Sequence, residues 1–180
     1  MNLVETSISG LLVIEPTIFS DDRGYFFESF RLSALAEHGI KVGFVQDNES
    51  KSNRGALRGL HLQAPPYAQA KLLRVVTGSI YDVAVDVRSD SPTYGKYFGL
   101  ELSGENKKTL YIPEGFAHGF CCLENNTIVQ YKCSNYYQPK SEMGLKWNDK
   151  NLGINWPDID FIISEKDEQH PPLSDFNTPF

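Results

Sequence analysis

The chain has 180 residues, enough for one domain and too few for two ordinary ones, and its 41% hydrophobic content can supply a core. Lys and Arg total 17 against 23 acids, a formal charge of -6 that speaks against a nucleic-acid groove but allows a local basic pocket for a small phosphorylated ligand. Cys121, Cys122 and Cys133 form neither a disulfide framework nor a zinc-type spacing, so buried, reduced thiols are expected. With no basic leader and no apolar run of about 20 residues, a cytoplasmic protein without membrane partners is expected.

In chain order, β-prone segments alternate with turn residues. Leu11–Ile14 leads to a turn at Pro16, and Gly24–Phe30 is rich in aromatics. Arg23 and Glu28 flank that aromatic run. A guanidinium suits a phosphate through its planar fork, although the segment in isolation reads more readily as a surface Arg–Glu pair flanking a core strand. Leu32–His38 is the one clear helix, stopped by Gly39. Gln46 and Asn48 share a face if this segment is a strand, and their amides suit a pyrimidine edge or a sugar hydroxyl.

Leu57-Arg58-Gly59-Leu60-His61-Leu62-Gln63 places an imidazole between leucines, where it is either a general base or a core histidine. Period-two alternation puts Arg58 and His61 on opposite faces, so a shared site requires a bulge at Gly59. Lys71–Thr77 and Ile80–Val87 are the next strands. Asp82 and Asp86 lie within an apolar run and need partners, for which Lys71 and Arg74 are the candidates. Phe98–Leu102, Thr109–Ile112, Phe120–Leu123 and Thr127–Tyr131 continue the strand pattern.

Pro113 to His118 has the form of the second cupin signature. In the first signature Gln63 stands where a metal cupin has a second histidine, and a neutral amide is a poor transition-metal ligand. Tyr131 is a protonated phenol at neutral pH and can act as an acid, though aromatic packing explains it as well. A helical turn is expected near Ser164–Glu168, and residues 171–180 read as loosely packed coil. Many short strands without alternating helices give a single all-β domain over 1–180, a sandwich or barrel of the jelly-roll kind.

Asp21-Asp22-Arg23-Gly24, Gln46-Asp47-Asn48, Leu57 to Gln63, Asp82 to Asp86, Ser91 to Gly95, Pro113 to Gly119 and Tyr131-Lys132-Cys133, in that order, resemble the dTDP-4-dehydrorhamnose 3,5-epimerase family over about Phe19 to Asp167. The resemblance implies a cupin-type jelly roll with one or two short helices, a homodimer, a dTDP-4-keto-6-deoxyhexose substrate, and no metal or other cofactor. It implies His61 as base, Asp167 as the carboxylate that orients it, Tyr131 as acid on the opposite face, and Lys71 at the C4 oxygen. Arg23, Glu28, Gln46, Asn48, Arg58, His118, Glu142 and Lys166 match family positions that contact substrate, with Phe26 and Tyr137 as aromatic contacts. The implied reaction inverts C3 and C5 of dTDP-4-dehydro-6-deoxy-D-glucose. The rivals are an epimerase acting at one carbon, a 3,4-ketoisomerase, a non-catalytic sugar-binding cupin and a metal-dependent dioxygenase.

Overall fold

Alternating apolar and polar residues, broken by Gly, Pro and Asn, yield thirteen strands in a computed structural model that describes residues 1–180. They are β1 (Asn2–Glu5), β2 (Leu12–Glu15), β3 (Ile18–Asp21), β4 (Gly24–Phe27), β5 (Gln46–Ser52), β6 (Leu57–Gln63), β7 (Lys71–Thr77), β8 (Ser79–Asp86), β9 (Tyr97–Ser103), β10 (Thr109–Ile112), β11 (Phe116–Cys122), β12 (Thr127–Cys133) and β13 (Glu142–Gly144). Helices α1 (Leu32–Glu37) and α2 (Glu165–Glu168) are short. No helix is long and apolar enough to cross a membrane.

One sheet runs β1-β2-β10-β7-β12-β5, the other β13-β6-β11-β8-β9, and β3-β4 forms a separate ribbon. The two large sheets face each other across a core that joins Leu73, Val75, Leu110 and Val129 of the first to Ile80, Ala84, Leu102 and Phe120 of the second. The outer face of the five-stranded sheet is buried too. Leu60, Val83, Val85 and Ala117 pack there against Leu145, Leu152 and Phe176 from the C-terminal third. Helix α1 covers part of the six-stranded sheet through Leu35, which packs with Ile14, Leu72 and Tyr111.

This layering makes β8 buried on both faces, so its two acids must be satisfied inside the protein. Their partners differ from the expected Lys71 and Arg74. Asp82 meets His118 at 2.9 Å and Asp86 meets Arg88 at 2.7 Å, because the neighbouring strand β11 and the turn after β8 bring those residues closer. Arg74 instead bonds Gln130 across the β7–β12 pair.

The tail also departs from the loose coil expected of it. Phe176 is buried, Phe180 packs on the same cluster, and the Ser89 N–H donates to the Phe180 carbonyl at 2.9 Å. The apolar outer face of the second sheet needs a cover, and this segment supplies part of it.

Candidate active site

His61, Lys71 and Tyr131 reach one interior space from opposite sheets. His61 projects from β6 of the five-stranded sheet, while Lys71 on β7 and Tyr131 on β12 project from the six-stranded sheet. All three line a cavity of about 570 Å³ together with Arg58, His118, Lys166 and Asp167. The same three also line an adjoining cavity of about 330 Å³ with Gln46, Asn48, Tyr137 and Glu142.

A bulge resolves the conflict between Arg58 and His61. On β11 the partners are Phe120 for Arg58 and His118 for His61, two steps on one strand against three on the other. The extra residue inverts the alternation, and both side chains turn to the cavity. Gly59 at φ 132 permits it, since a Cβ there would stand 2.5 Å from the Gly119 Cα.

His61 Nε2 and Asp167 Oδ1 lie 2.7 Å apart, and the Gly59 N–H donates to Asp167 Oδ2 at 3.1 Å. Burial opposes the charge on Asp167, yet its bonds to His61 and Gly59 hold the carboxyl below its ordinary value. The Asp167–Nε2 contact leaves Nδ1 of His61 as the ring nitrogen without a protein partner. Asp167 is placed by α2, whose N-cap, Ser164, accepts from the Asp167 N–H.

Burial pushes the Lys71 ammonium down against the opposing pull of Cys133, Asp82 and Glu142, and its Nζ reaches the His61 carbonyl at 3.4 Å. Burial raises the Tyr131 phenol, which keeps its proton through neutral pH. Burial also holds the His118 imidazole low despite the Asp82 carboxylate beside it. At the mouth, Glu142 accepts from Lys166 and from the Tyr137 hydroxyl, both at 2.6 Å. The Gln46 amide bonds Asn48 at 3.0 Å, so the two share a face as expected. Arg58 donates to Ser52 Oγ.

Three of the expected site residues are elsewhere. Arg23 and Phe26 sit on the β3–β4 ribbon, with Arg23 paired to Asp21 at 2.6 Å and Phe26 70% exposed. Glu28 follows the ribbon and pairs with Arg31. None of them lines either cavity within one chain.

Two further residues matter here that their sequence context did not reveal. His170 stands three residues after Asp167, at 3.8 Å from Oδ1, with its ring edge-on to His61. Helical spacing from Asp167 was the available signal. Asp82 beneath His118 is the other. Gln63 plays a structural part, since its amide donates to the Tyr67 and Tyr136 carbonyls and accepts from the Gln138 N–H. The nearest three-residue cluster of metal-ligand type is His61, Asp167 and His170. Its first two members stand 2.7 Å apart, shorter than the roughly 3.3 Å between two ligands of a tetrahedral zinc, so the contact is a hydrogen bond.

A cupin-type jelly roll with a carboxylate-bound imidazole and a phenol reaching one cavity from facing sheets is the architecture of a sugar-nucleotide epimerase. A family model described as dTDP-4-dehydrorhamnose 3,5-epimerase matches residues 5–175. A Shigella flexneri dTDP-4-dehydrorhamnose 3,5-epimerase is 52% identical over 168 residues, 93% of each chain. The crystal structure of the Elizabethkingia anophelis enzyme of that name superposes with a TM-score of 0.95 at 49% identity, covering 99% of both chains. A Legionella pneumophila dTDP-6-deoxy-D-glucose-3,5-epimerase in complex with dTDP-4-keto-L-rhamnose gives 0.94 at 45% identity, over 98% of this chain and 94% of that one. The chain belongs to the dTDP-4-dehydrorhamnose 3,5-epimerase family. It is an isomerase that epimerises its dTDP-4-keto sugar at C3 and C5.

Proposed function

We propose that His61 removes the proton next to the C4 ketone and that Tyr131 returns one to the opposite face. A C4 carbonyl acidifies the hydrogens at C3 and C5, because the carbanion delocalises onto oxygen. The observation that carries this reading is the 2.7 Å contact between His61 Nε2 and buried Asp167. It fixes the ring's orientation and stabilises the imidazolium that forms. Lys71 donates to the developing enolate oxygen, where preorganised charge lowers the barrier. Tyr131 comes from the facing sheet and stays protonated, which suits it to acid work on the other side of the sugar. Arg58, Lys166, Gln46 and Asn48 bind the remote phosphates and base, holding the reacting carbons at His61.

The protein acts as a homodimer in this reading. The ribbon exposes Phe19 and Phe26 beside Arg23, an apolar patch that a lone chain leaves uncovered. A second copy is its occupant, and the ribbon then carries Arg23, Phe26 and Glu28 to the partner's cavity. Three buried cysteines without disulfides fit a cytoplasmic location.

Tyr131→Phe is the test of the acid assignment. The variant is expected to exchange substrate protons with heavy water while forming no inverted product. Loss of exchange together with inversion counts against a purely acid role.

A further inference from the structure

His170 matches none of the motifs that carry the family resemblance, yet it borders the centre. Its Nε2 is buried, lacks any hydrogen-bond partner and stands 3.8 Å from the Asp167 oxygen that holds His61. Its ring lies edge-on to the His61 ring, with centroids 5.6 Å apart. On the other side it presses on Gly144, where an added Cβ would overlap the imidazole. The backbone has therefore left room for this ring at this place.

We propose that His170 is a positioning residue for the epimerase reaction: its Nε2 is the second partner of Asp167 Oδ1 and limits how strongly that oxygen holds the His61 proton. The inference rests on the reading of His61 as base. The gap is too long for a full hydrogen bond, but no other acceptor is offered to this buried nitrogen. With its proton on Nε2, His170 presents an N–H dipole near Oδ1 and withdraws part of the charge that stabilises the His61 imidazolium. The base then gives up its proton more readily after each transfer. Burial keeps His170 itself uncharged, pushing its imidazole below the ordinary value, and nearby His61 acts in the same direction. The other groups around the pair are Lys166 and Asp167 on α2 and Glu142 on β13, with Lys71 and His118 facing His61 from the cavity.

The test is kcat/KM against pH for wild type, His170→Phe and His170→Gln. Phenylalanine keeps a ring against Gly144 and His61 but removes the N–H, whereas glutamine keeps an N–H near Asp167. His170→Phe is expected to move the acidic limb upward by about half a pH unit, an approximately threefold loss below the limb, with the plateau within about a factor of two. His170→Gln is expected to return the limb to its wild-type position. A limb unmoved in His170→Phe, or moved equally in both variants, overturns the proposal. Should neither variant fold, an NMR titration of the wild-type imidazoles decides. A neutral His170 that senses the protonation of His61 supports the proposal, and a charged His170 at pH 7 overturns it. Turnover by His61→Ala would sink the base assignment itself, whereas an inactive His61→Ala with an unmoved limb in His170→Phe sinks this inference alone.

Discussion

The centre around His61 and the ribbon of β3 and β4 carry residues matched to one substrate, but they are built in opposite ways. At His61 every partner is internal: Asp167 beneath it, Lys71 and Tyr131 across from it, and Gly59 turning the strand. On the ribbon Arg23 pairs with its neighbour Asp21, and Phe26 faces solvent. Under the proposed roles, the proton-transfer residues are gathered within one chain, while three of the matched binding residues lie outside its cavities. A reacting group must be held within a fraction of an ångström, and a rigid barrel interior does that. A binding contact tolerates more play and can be delivered by a protruding ribbon.

Changes at the centre should cost the most. Asp167→Asn keeps the shape but removes the charge that stabilises the imidazolium, and kcat is expected to fall about 100-fold with little change in KM. Equal activity would mean that His61 needs no carboxylate. Changes on the ribbon should act on binding instead. Arg23→Ala with Phe26→Ala is expected to raise KM about tenfold while leaving kcat within a small factor. Mixing that variant with inactive His61→Ala chains is then expected to restore part of the activity, because one mixed site has an intact cavity and an intact ribbon. No recovery after subunit exchange would return the ribbon to a role in its own chain.

The smallest effect concerns Asp86, a buried acid of β8 that lines neither cavity. Burial opposes its charge, but hydrogen bonds from Arg88, Ser91 and Thr93 pull its pKa down to about 2. Its contribution is therefore present above the ordinary carboxylate value and fades as pH falls toward about 2. Asp86→Asn is expected to lower Tm by roughly 5 °C at pH 7, with turnover intact and the deficit shrinking as acid is added. A catalytic defect in this variant would blur the line between scaffold and centre.

Much of this was legible in the sequence. Lys71–Thr77 and Thr109–Ile112 match their strands residue for residue, since both begin and end at sharp changes of pattern. The strands β1, β3 and β13 escaped notice because they are four residues or fewer and mostly lack a buried face to impose alternation. Alternation alone also set Arg58 against His61. Only the pairing with β11 shows the extra residue, and pairing partners lie outside any local window. The same reason hid the His118–Asp82 pair and His170, whose importance depends on what the fold brings beside them. Arg23, Phe26 and Glu28 were readable as binding types by chemistry, but their distance from the cavity belongs to tertiary structure.

The most direct measurement incubates wild type and His61→Ala with dTDP-4-keto-6-deoxyglucose in heavy water and locates deuterium in the sugar. Label is expected at both C3 and C5 with wild type and at neither carbon with His61→Ala. Label entering at the wild-type rate without that imidazole would rule out His61 as the base.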